Sequence, residues 1–159
     1  MTKDREEEEK ILRRSKKEIL RKTKREILRR TEIPTPAGSV VLVERGGALV
    51  ALVFKDHWKG MSDELARRFG TFTFEENLQT ESAAEALQRY FAGDLRALEA
   101  IKVDTGGTPF QQLVWTTLRA IPAGSTWSYA RLAREVGRPS AVRAVAAANG
   151  ANPVSIVVP

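Results

Sequence analysis

The chain has 159 residues, of which 42% are hydrophobic and 29% are charged, and its formal net charge is +6. This length suits one ordinary domain or two small ones, and no apolar run is long enough to cross a bilayer. Because the chain contains no cysteine, these residues can form no disulfide, thiolate nucleophile or cysteine-ligated zinc site. The first residues lack a signal-peptide pattern. We therefore expect a cytoplasmic monomer without a membrane association, a metal or a cofactor.

Positive charge is concentrated at the start of the chain. Residues 1–31 contain 13 Lys and Arg against 7 Asp and Glu, which gives +6, and the remaining 13 basic and 13 acidic residues cancel. The net charge therefore belongs to an N-terminal extension. It gives no reason by itself to expect that the rest of the chain binds nucleic acid.

An eight-residue repeat runs through this extension as KILRRSKK, EILRKTKR and EILRRTEI, at 10–17, 18–25 and 26–33. Its residues are strong helix formers, but eight residues advance about 80° beyond two full turns, so the Ile-Leu pairs form no fixed seam. We predict a charged helical extension over 1–33 that is ended by Pro34 and Pro36. A solvated or partly disordered arm, an arm that contacts the DNA backbone, and a helix for a protein partner are all open interpretations.

Residues 34–104 are predicted to form a small α+β unit. Two β-branched runs flank Arg45-Gly46-Gly47, which is a hairpin signal. Ser82 followed by Glu85 fits a capping box. The predicted elements are strands at 39–43 and 49–54, a helix at about 62–69, a strand at 71–74 and a helix at 82–91. The expected architecture is a short antiparallel sheet with helices.

Residues 105–159 are predicted to form a second, mostly helical unit. Thr108 and Gln111 suit a capping box with Pro109 at the first helical position, Ser128 suits an N-cap, and Pro139 suits a helix start. The predicted helices are 109–121, 129–136 and 140–149, followed by a short buried strand at 154–158. Two short helices joined by a glycine-containing turn are typical of a helix-turn-helix, although this pattern alone is a weak sign of DNA binding.

Two features of the second unit are candidates for function. Residues 141–148 are small apart from Arg143, so they suit either a close approach to a nucleic-acid groove or tight packing against another helix. Asn152 precedes Pro153, where its amide can hydrogen-bond the local backbone or simply form a turn. The residues alone leave both pairs of alternatives open.

The motifs TPFQQ, VW, IPAGSTWSY, RAVAAANGANP and IVVP, in this order from Thr108 onwards, resemble the O6-alkylguanine-DNA alkyltransferase family. The earlier segments TPAGSVVLVERGGALVALVF and ALQRYFAGDL are similar to the same family more loosely. The resemblance covers about residues 35–159. It implies an α+β fold with a ribonuclease-H-like first unit and a winged-helix-like helix-turn-helix unit that binds DNA.

The resemblance also implies a mechanism on double-stranded DNA that contains O6-alkylguanine. The helix-turn-helix enters the minor groove and the damaged nucleotide flips into a pocket. Arg143 would fill the vacated stack, Tyr129 would crowd the phosphate and donate a proton to the leaving guanine, and Asn152 would support the loop that carries the acceptor cysteine. The DNA-contacting set that the resemblance implies is Ser128, Tyr129, Arg138, Ala141, Arg143 and Ala144.

In this family the IVVP motif continues into Cys-His-Arg, and the cysteine accepts the alkyl group as a thiolate. We therefore expect the nucleophilic cysteine immediately after Pro159, and residues 1–159 alone are expected to be inactive in alkyl transfer. Two alternatives stand beside the single-turnover repair enzyme: a non-catalytic alkyltransferase-like protein that binds lesions, and an inactive fragment. The presence of the first unit favours the enzyme, because the alkyltransferase-like relatives often lack it.

Overall fold

The computed structural model describes residues 26–76 and 83–159. These ranges contain four strands, five α-helices and a single turn of 3-10 helix. The strands are β1 (Glu26–Ile33), β2 (Val40–Arg45), β3 (Ala48–Phe54) and β4 (Phe72–Glu76), and the helices are α1 (Trp58–Phe69), α2 (Ala83–Phe91), α3 (Pro109–Arg119), α4 (Tyr129–Glu135) and α5 (Val142–Gly150). No helix in these ranges is long and apolar enough to cross a membrane.

Strand β1 corrects the prediction of a helix through residue 33. The strand order is β3-β2-β1-β4, so β1 is internal and pairs with a strand on each side. Leu28 is fully buried and Ile33 is nearly so. Pairing on both edges and burial of the apolar residues override the helix propensity of EILRRTEI. The helix prediction is therefore wrong for 26–33, and its remaining part, 1–25, lies outside the described residues.

The sheet is mixed, which corrects the expected purely antiparallel arrangement. Strands β1, β2 and β3 are antiparallel neighbours, whereas β4 runs parallel to β1 with Leu28 opposite Phe74. A parallel pair needs a crossover connection, and the β2–β3 hairpin with α1 supplies it. The predicted hairpin turn is confirmed, because Gly46 and Gly47 have φ of 55° and 81°, values that favour glycine.

Each face of the sheet belongs to a different hydrophobic cluster. One face packs against α1 through Leu28, Val41, Val43, Val50, Ala51 and Leu65. The other face shares a larger core with the remaining helices, which includes Leu42, Leu52, Leu87, Val114, Leu132 and Val145. The helical unit therefore completes the core of the sheet unit, and the stability of one depends on the other.

The start signals of the first two helices in the second unit are confirmed. Thr108 Oγ1 accepts a hydrogen bond from the Gln111 backbone N–H (3.2 Å), and Gln111 Oε1 accepts one from the Thr108 N–H (2.9 Å). Ser128 Oγ accepts from the Arg131 N–H at the start of α4 (3.2 Å). The next helix begins at Val142, two residues later than predicted. Pro139 lies in the preceding turn and does not start α5.

The predicted strand at 154–158 is wrong in conformation but right in burial. Only Val154 makes a β-bridge, to Leu52, and the following residues form a turn. Ile156 has φ of 72°, a left-handed conformation that is strained for a β-branched residue. Val154, Val157 and Val158 are all buried, so the apolar pattern reported the environment of this segment and not its secondary structure.

Candidate functional site

Helix α5 combines a buried face with an exposed face of small residues. The residues exposed to solvent are Arg143, Ala144, Ala147 and Gly150. On the opposite side, Val145 is fully buried, and the Trp115 indole N–H donates to the Ala148 carbonyl at 2.8 Å. The packing interpretation of the alanine-rich segment is confirmed for its inner face, which lies against α3. Its outer face presents one arginine among small side chains, and a close approach to a nucleic-acid groove stays a prediction.

Tyr129 lies at the first position of α4, next to the N-cap residue Ser128. Its side chain is 46% exposed. The Asn149 side-chain amide, in the last turn of α5, donates to the Tyr129 hydroxyl oxygen at 3.2 Å. This hydrogen bond connects the two helices of the helix-turn-helix. The tyrosine is held at the protein surface and retains access to solvent.

The turn between α4 and α5 is fixed by backbone hydrogen bonds. Gly137 has φ of 70° and ends α4 in a left-handed conformation. The Arg138 N–H donates to the Ala133 carbonyl and the Ala141 N–H donates to the Arg138 carbonyl, both at 2.8 Å. The Arg138 main chain is thus ordered on both sides, while the residue as a whole is exposed. The turn positions Ala141 at the N-terminus of α5.

Exposed arginines outnumber acids across the helix-turn-helix. The exposed basic residues are Arg131, Arg134, Arg138 and Arg143, against a single acidic residue, Glu135. The Arg131 guanidinium stacks over the Trp127 ring, 4.2 Å from its centroid, and its Nε is 3.9 Å from a Glu135 carboxylate oxygen. This local excess of positive charge is of the kind that attracts phosphate.

The Asn152 side chain hydrogen-bonds to the backbone at two places in the turn that follows α5. Its Oδ1 accepts from the Val154 N–H (2.9 Å), and its Nδ2 donates to the Val158 carbonyl (2.8 Å). The sheet holds the same turn from the other side: the Leu52 N–H donates to the Pro153 carbonyl (2.8 Å), and the Ser155 N–H donates to the Leu52 carbonyl (2.9 Å). The backbone that leads to Pro159 is thereby fixed by two independent sets of hydrogen bonds.

The predicted site residues fall into two groups. Ser128, Tyr129, Arg138, Ala141, Arg143 and Ala144 all lie on the helix-turn-helix, and all are exposed except Ala141, which is half-buried. Asn152 lies apart from them, in the turn that follows α5. Sequence reasoning missed Asn149, whose only signal is a polar side chain in an otherwise alanine-rich helix, and it missed the stacked pair of Trp127 and Arg131. No group of three or more His, Asp or Glu residues in 26–76 and 83–159 could hold a metal ion.

Residues 109–159 match the family model described as 6-O-methylguanine DNA methyltransferase, DNA binding domain. Over 131 residues the chain is 40% identical to a methylated-DNA–protein-cysteine methyltransferase of Shigella flexneri, covering 80% of this chain and 77% of the relative. The protein of the same name from Salmonella typhimurium is 41% identical over 135 residues, with the same shares covered.

Solved structures are also similar to this chain. The O6-methylguanine methyltransferase of Mycobacterium tuberculosis superposes with a TM-score of 0.67 at 32% identity, covering 83% of this chain and 75% of the other. A structure of the M. tuberculosis protein in complex with DNA gives 0.64 at 34% identity, covering 84% and 74%. Identities of this size over most of both chains, together with the same fold, show that the chain belongs to the methylated-DNA–protein-cysteine methyltransferase family.

Proposed function

We propose that this protein acts in the direct repair of double-stranded DNA that contains O6-alkylguanine. A cysteine thiolate attacks the alkyl carbon, the bond from that carbon to O6 breaks, and the guanine leaves with a proton. The alkyl group stays on sulfur as a thioether, so each molecule acts once. The observation that carries the proposal is the exposed face of α5, where Arg143 stands among small residues on a helix-turn-helix.

We assign the roles of the individual residues from the family motifs that they match, and their positions support these assignments. Arg143 enters the base stack in place of the flipped nucleotide, while Ala144 allows the helix to approach the groove closely. Tyr129, half-exposed at the start of α4, crowds the phosphate and supplies the proton to the leaving guanine. Ser128 and Arg138 contact the backbone, and Ala141 packs at the groove edge where α5 begins.

Asn152 acts on the acceptor and not on DNA. Its two hydrogen bonds to the backbone of Val154 and Val158 fix the direction in which the chain reaches Pro159. Residues 1–159 contain no cysteine, so they supply recognition and positioning. We place the acceptor cysteine directly after Pro159. From the family resemblance we also propose that the sheet unit is ribonuclease-H-like and that the helical unit from about 105 is winged-helix-like. We further propose that the protein acts as a cytoplasmic monomer.

A non-catalytic lesion-binding protein is the second candidate, because the observation that carries the proposal, the exposed face of α5, concerns DNA recognition and not alkyl transfer. Both candidates bind lesions through the same helix-turn-helix. They differ in the residue that follows Pro159, which is a cysteine in the enzyme and another residue in the binding protein.

Two measurements test these proposals. The first is binding of residues 1–159 to a duplex with one O6-methylguanine and to the same duplex with guanine; tighter binding to the lesion is expected, and equal binding would contradict the proposal. The second is the intact mass of the protein from its natural source, with sequencing of its C-terminal peptide. A Cys-His-Arg continuation and stoichiometric methyl transfer support the enzyme, whereas a different residue at that position supports the lesion-binding protein.

A further inference from the structure

We propose that Asn149 is a positioning residue that directs the Tyr129 hydroxyl proton towards DNA. The proposal rests on the proposed function, because it concerns the tyrosine assigned there as the proton donor. Asn149 itself need not touch the DNA or the reacting atoms. It acts through its hydrogen bond to the Tyr129 oxygen, which is 3.2 Å from Nδ2.

The chemistry of the pair decides where the phenol proton points. A tyrosine hydroxyl carries one proton and can accept through its oxygen, whereas an amide NH2 group can only donate. When the Asn149 NH2 group donates, the phenol oxygen is the acceptor in that bond. The phenol proton takes no part in this bond and is free to be donated to another acceptor. Because Tyr129 is 46% exposed, that proton is directed away from α5 towards the solvent side, where a phosphate oxygen or a leaving guanine can accept it.

The position of Asn149 in the fold leaves its side chain available for this task. Its backbone carbonyl accepts from the Asn152 N–H at 3.0 Å and so helps to end α5. That bond does not depend on which side chain residue 149 carries. Tyr129 begins a helix of only seven residues, and its side chain is 46% exposed. A hydrogen bond from the neighbouring helix restricts the ring before DNA arrives, which lowers the entropic cost of ordering it in the complex.

The experiment combines replacements of Asn149 with a replacement of Tyr129. Residues 1–159 are titrated with a duplex that carries O6-methylguanine beside 2-aminopurine, and both the dissociation constant and the 2-aminopurine fluorescence that reports base flipping are recorded. The variants are Asn149→Leu, which has a similar size and no donor, Asn149→Asp, which can accept but not donate, Tyr129→Phe, and Tyr129→Phe combined with Asn149→Leu. Gln88→Leu, an exposed amide-to-leucine change on α2, is the matched control, and thermal unfolding is measured for every variant.

We expect Asn149→Leu to weaken lesion binding and flipping about 3- to 10-fold, the effect of one neutral hydrogen bond. Asn149→Asp should be at least as damaging, because a carboxylate accepts a hydrogen bond from the phenol O–H, which turns that proton towards α5, and also repels phosphate. In the Tyr129→Phe background, Asn149→Leu should have no further effect. Gln88→Leu should leave binding and flipping unchanged.

Three results would overturn the proposal. Wild-type behaviour of Asn149→Asp would show that a donor at this position is not needed. An equal loss from Asn149→Leu with and without the Tyr129 hydroxyl would show that the asparagine acts through helix structure. If the unaltered chain itself shows no preference for the lesion, the proposed function fails and this inference fails with it, a result distinct from the first two.

Discussion

The side chain of Asn152 lies between two backbone groups of its own turn, and its Nδ2 is 2.8 Å from the carbonyl oxygen of Val158. On its other side Oδ1 accepts from the Val154 N–H. One amide thus satisfies a donor and an acceptor in a segment that regular secondary structure does not pair. Ile156, which has a left-handed backbone conformation, lies between Val154 and Val158. The two hydrogen bonds of Asn152 therefore also hold a strained residue in place.

Replacing Asn152 should therefore loosen the turn that leads to Pro159. Asn152→Ala removes both hydrogen bonds, and at about 0.5–1.5 kcal/mol for each we expect a loss of about 1–3 kcal/mol in the free energy of unfolding. Asn152→Asp keeps the acceptor for Val154 but loses the donor to Val158. Urea denaturation of both variants measures the separate contributions of the hydrogen bonds to Val154 and Val158. A stability of Asn152→Asp equal to that of the unaltered chain would contradict the assigned bond to Val158.

Local sequence signals predicted the elements whose ends are set by local chemistry. The capping box at Thr108 and Gln111, the cap at Ser128 and the hairpin at Gly46-Gly47 are each determined by residues within four positions of one another. The strand at 26–33 was missed because its stability comes from two distant neighbours, β2 and β4. No pattern inside EILRRTEI reports those partners, whereas its composition does favour a helix.

The same distinction applies to the candidate site. Arg143, Tyr129 and Asn152 were predicted from motifs that resemble a known family. The contact of Asn149 with Tyr129 joins positions 20 residues apart, and no spacing rule for a single helix predicts it. The link from Leu52 to the Pro153–Ser155 turn is also long-range. Burial of 154–158 was predictable from its apolar residues, but its turn conformation depends on Asn152 and on the sheet.

Gly107 has both a special backbone conformation and a close neighbour. Its φ is 78°, and a Cβ at this position would lie 2.6 Å from the Trp115 ring. Gly124 has nearly the same φ, 79°, but nothing lies within 4 Å of its Cβ position. Gly107→Ala should therefore cost about 1–3 kcal/mol more than Gly124→Ala, because overpacking is added to the backbone strain that the two variants share.

Thermal or urea unfolding of the two glycine variants measures this difference. It should be accompanied by a change in Trp115 fluorescence in Gly107→Ala only, since the ring has to move. Equal destabilisation of the two variants would mean that the Trp115 ring yields without cost. That result would contradict the prediction that close packing of the Trp115 ring against Gly107 adds to the cost of the substitution.

Arg143 and Arg138 should contribute to DNA binding in different ways. In Arg143→Ala we expect a large loss of affinity for lesion-containing duplex with little change in salt dependence, because this side chain fills the base stack. In Arg138→Ala we expect the slope of log K against log salt to change by about 0.9, the value for one phosphate contact, with the preference for the lesion retained. Binding at four salt concentrations to both duplexes measures these quantities. A change of about one unit in slope for Arg143→Ala, with its lesion preference intact, would contradict the proposed role.

The position of β1 determines how the N-terminal extension can be tested. Residues 1–25 contain 11 basic and 6 acidic residues, a net charge of 11 − 6 = +5. Deleting 1–25 removes none of the four described strands, so we expect the fold to persist. If the extension contacts the DNA backbone, affinity for undamaged duplex should fall at low salt and converge with that of the full chain at high salt.

Deleting 1–33 should have a different outcome, because it removes the strand that joins β2 to β4. Leu28 and Ile33 are lost from two separate clusters of the core, and the pairing partner of β4 disappears. We expect this variant to lose its cooperative thermal transition, which circular dichroism would detect. A folded 34–159 chain would contradict the central position of β1. For the shorter deletion, equal DNA affinity of the full chain and the 26–159 chain at low salt would leave a partner helix or a solvated arm as the role of the extension.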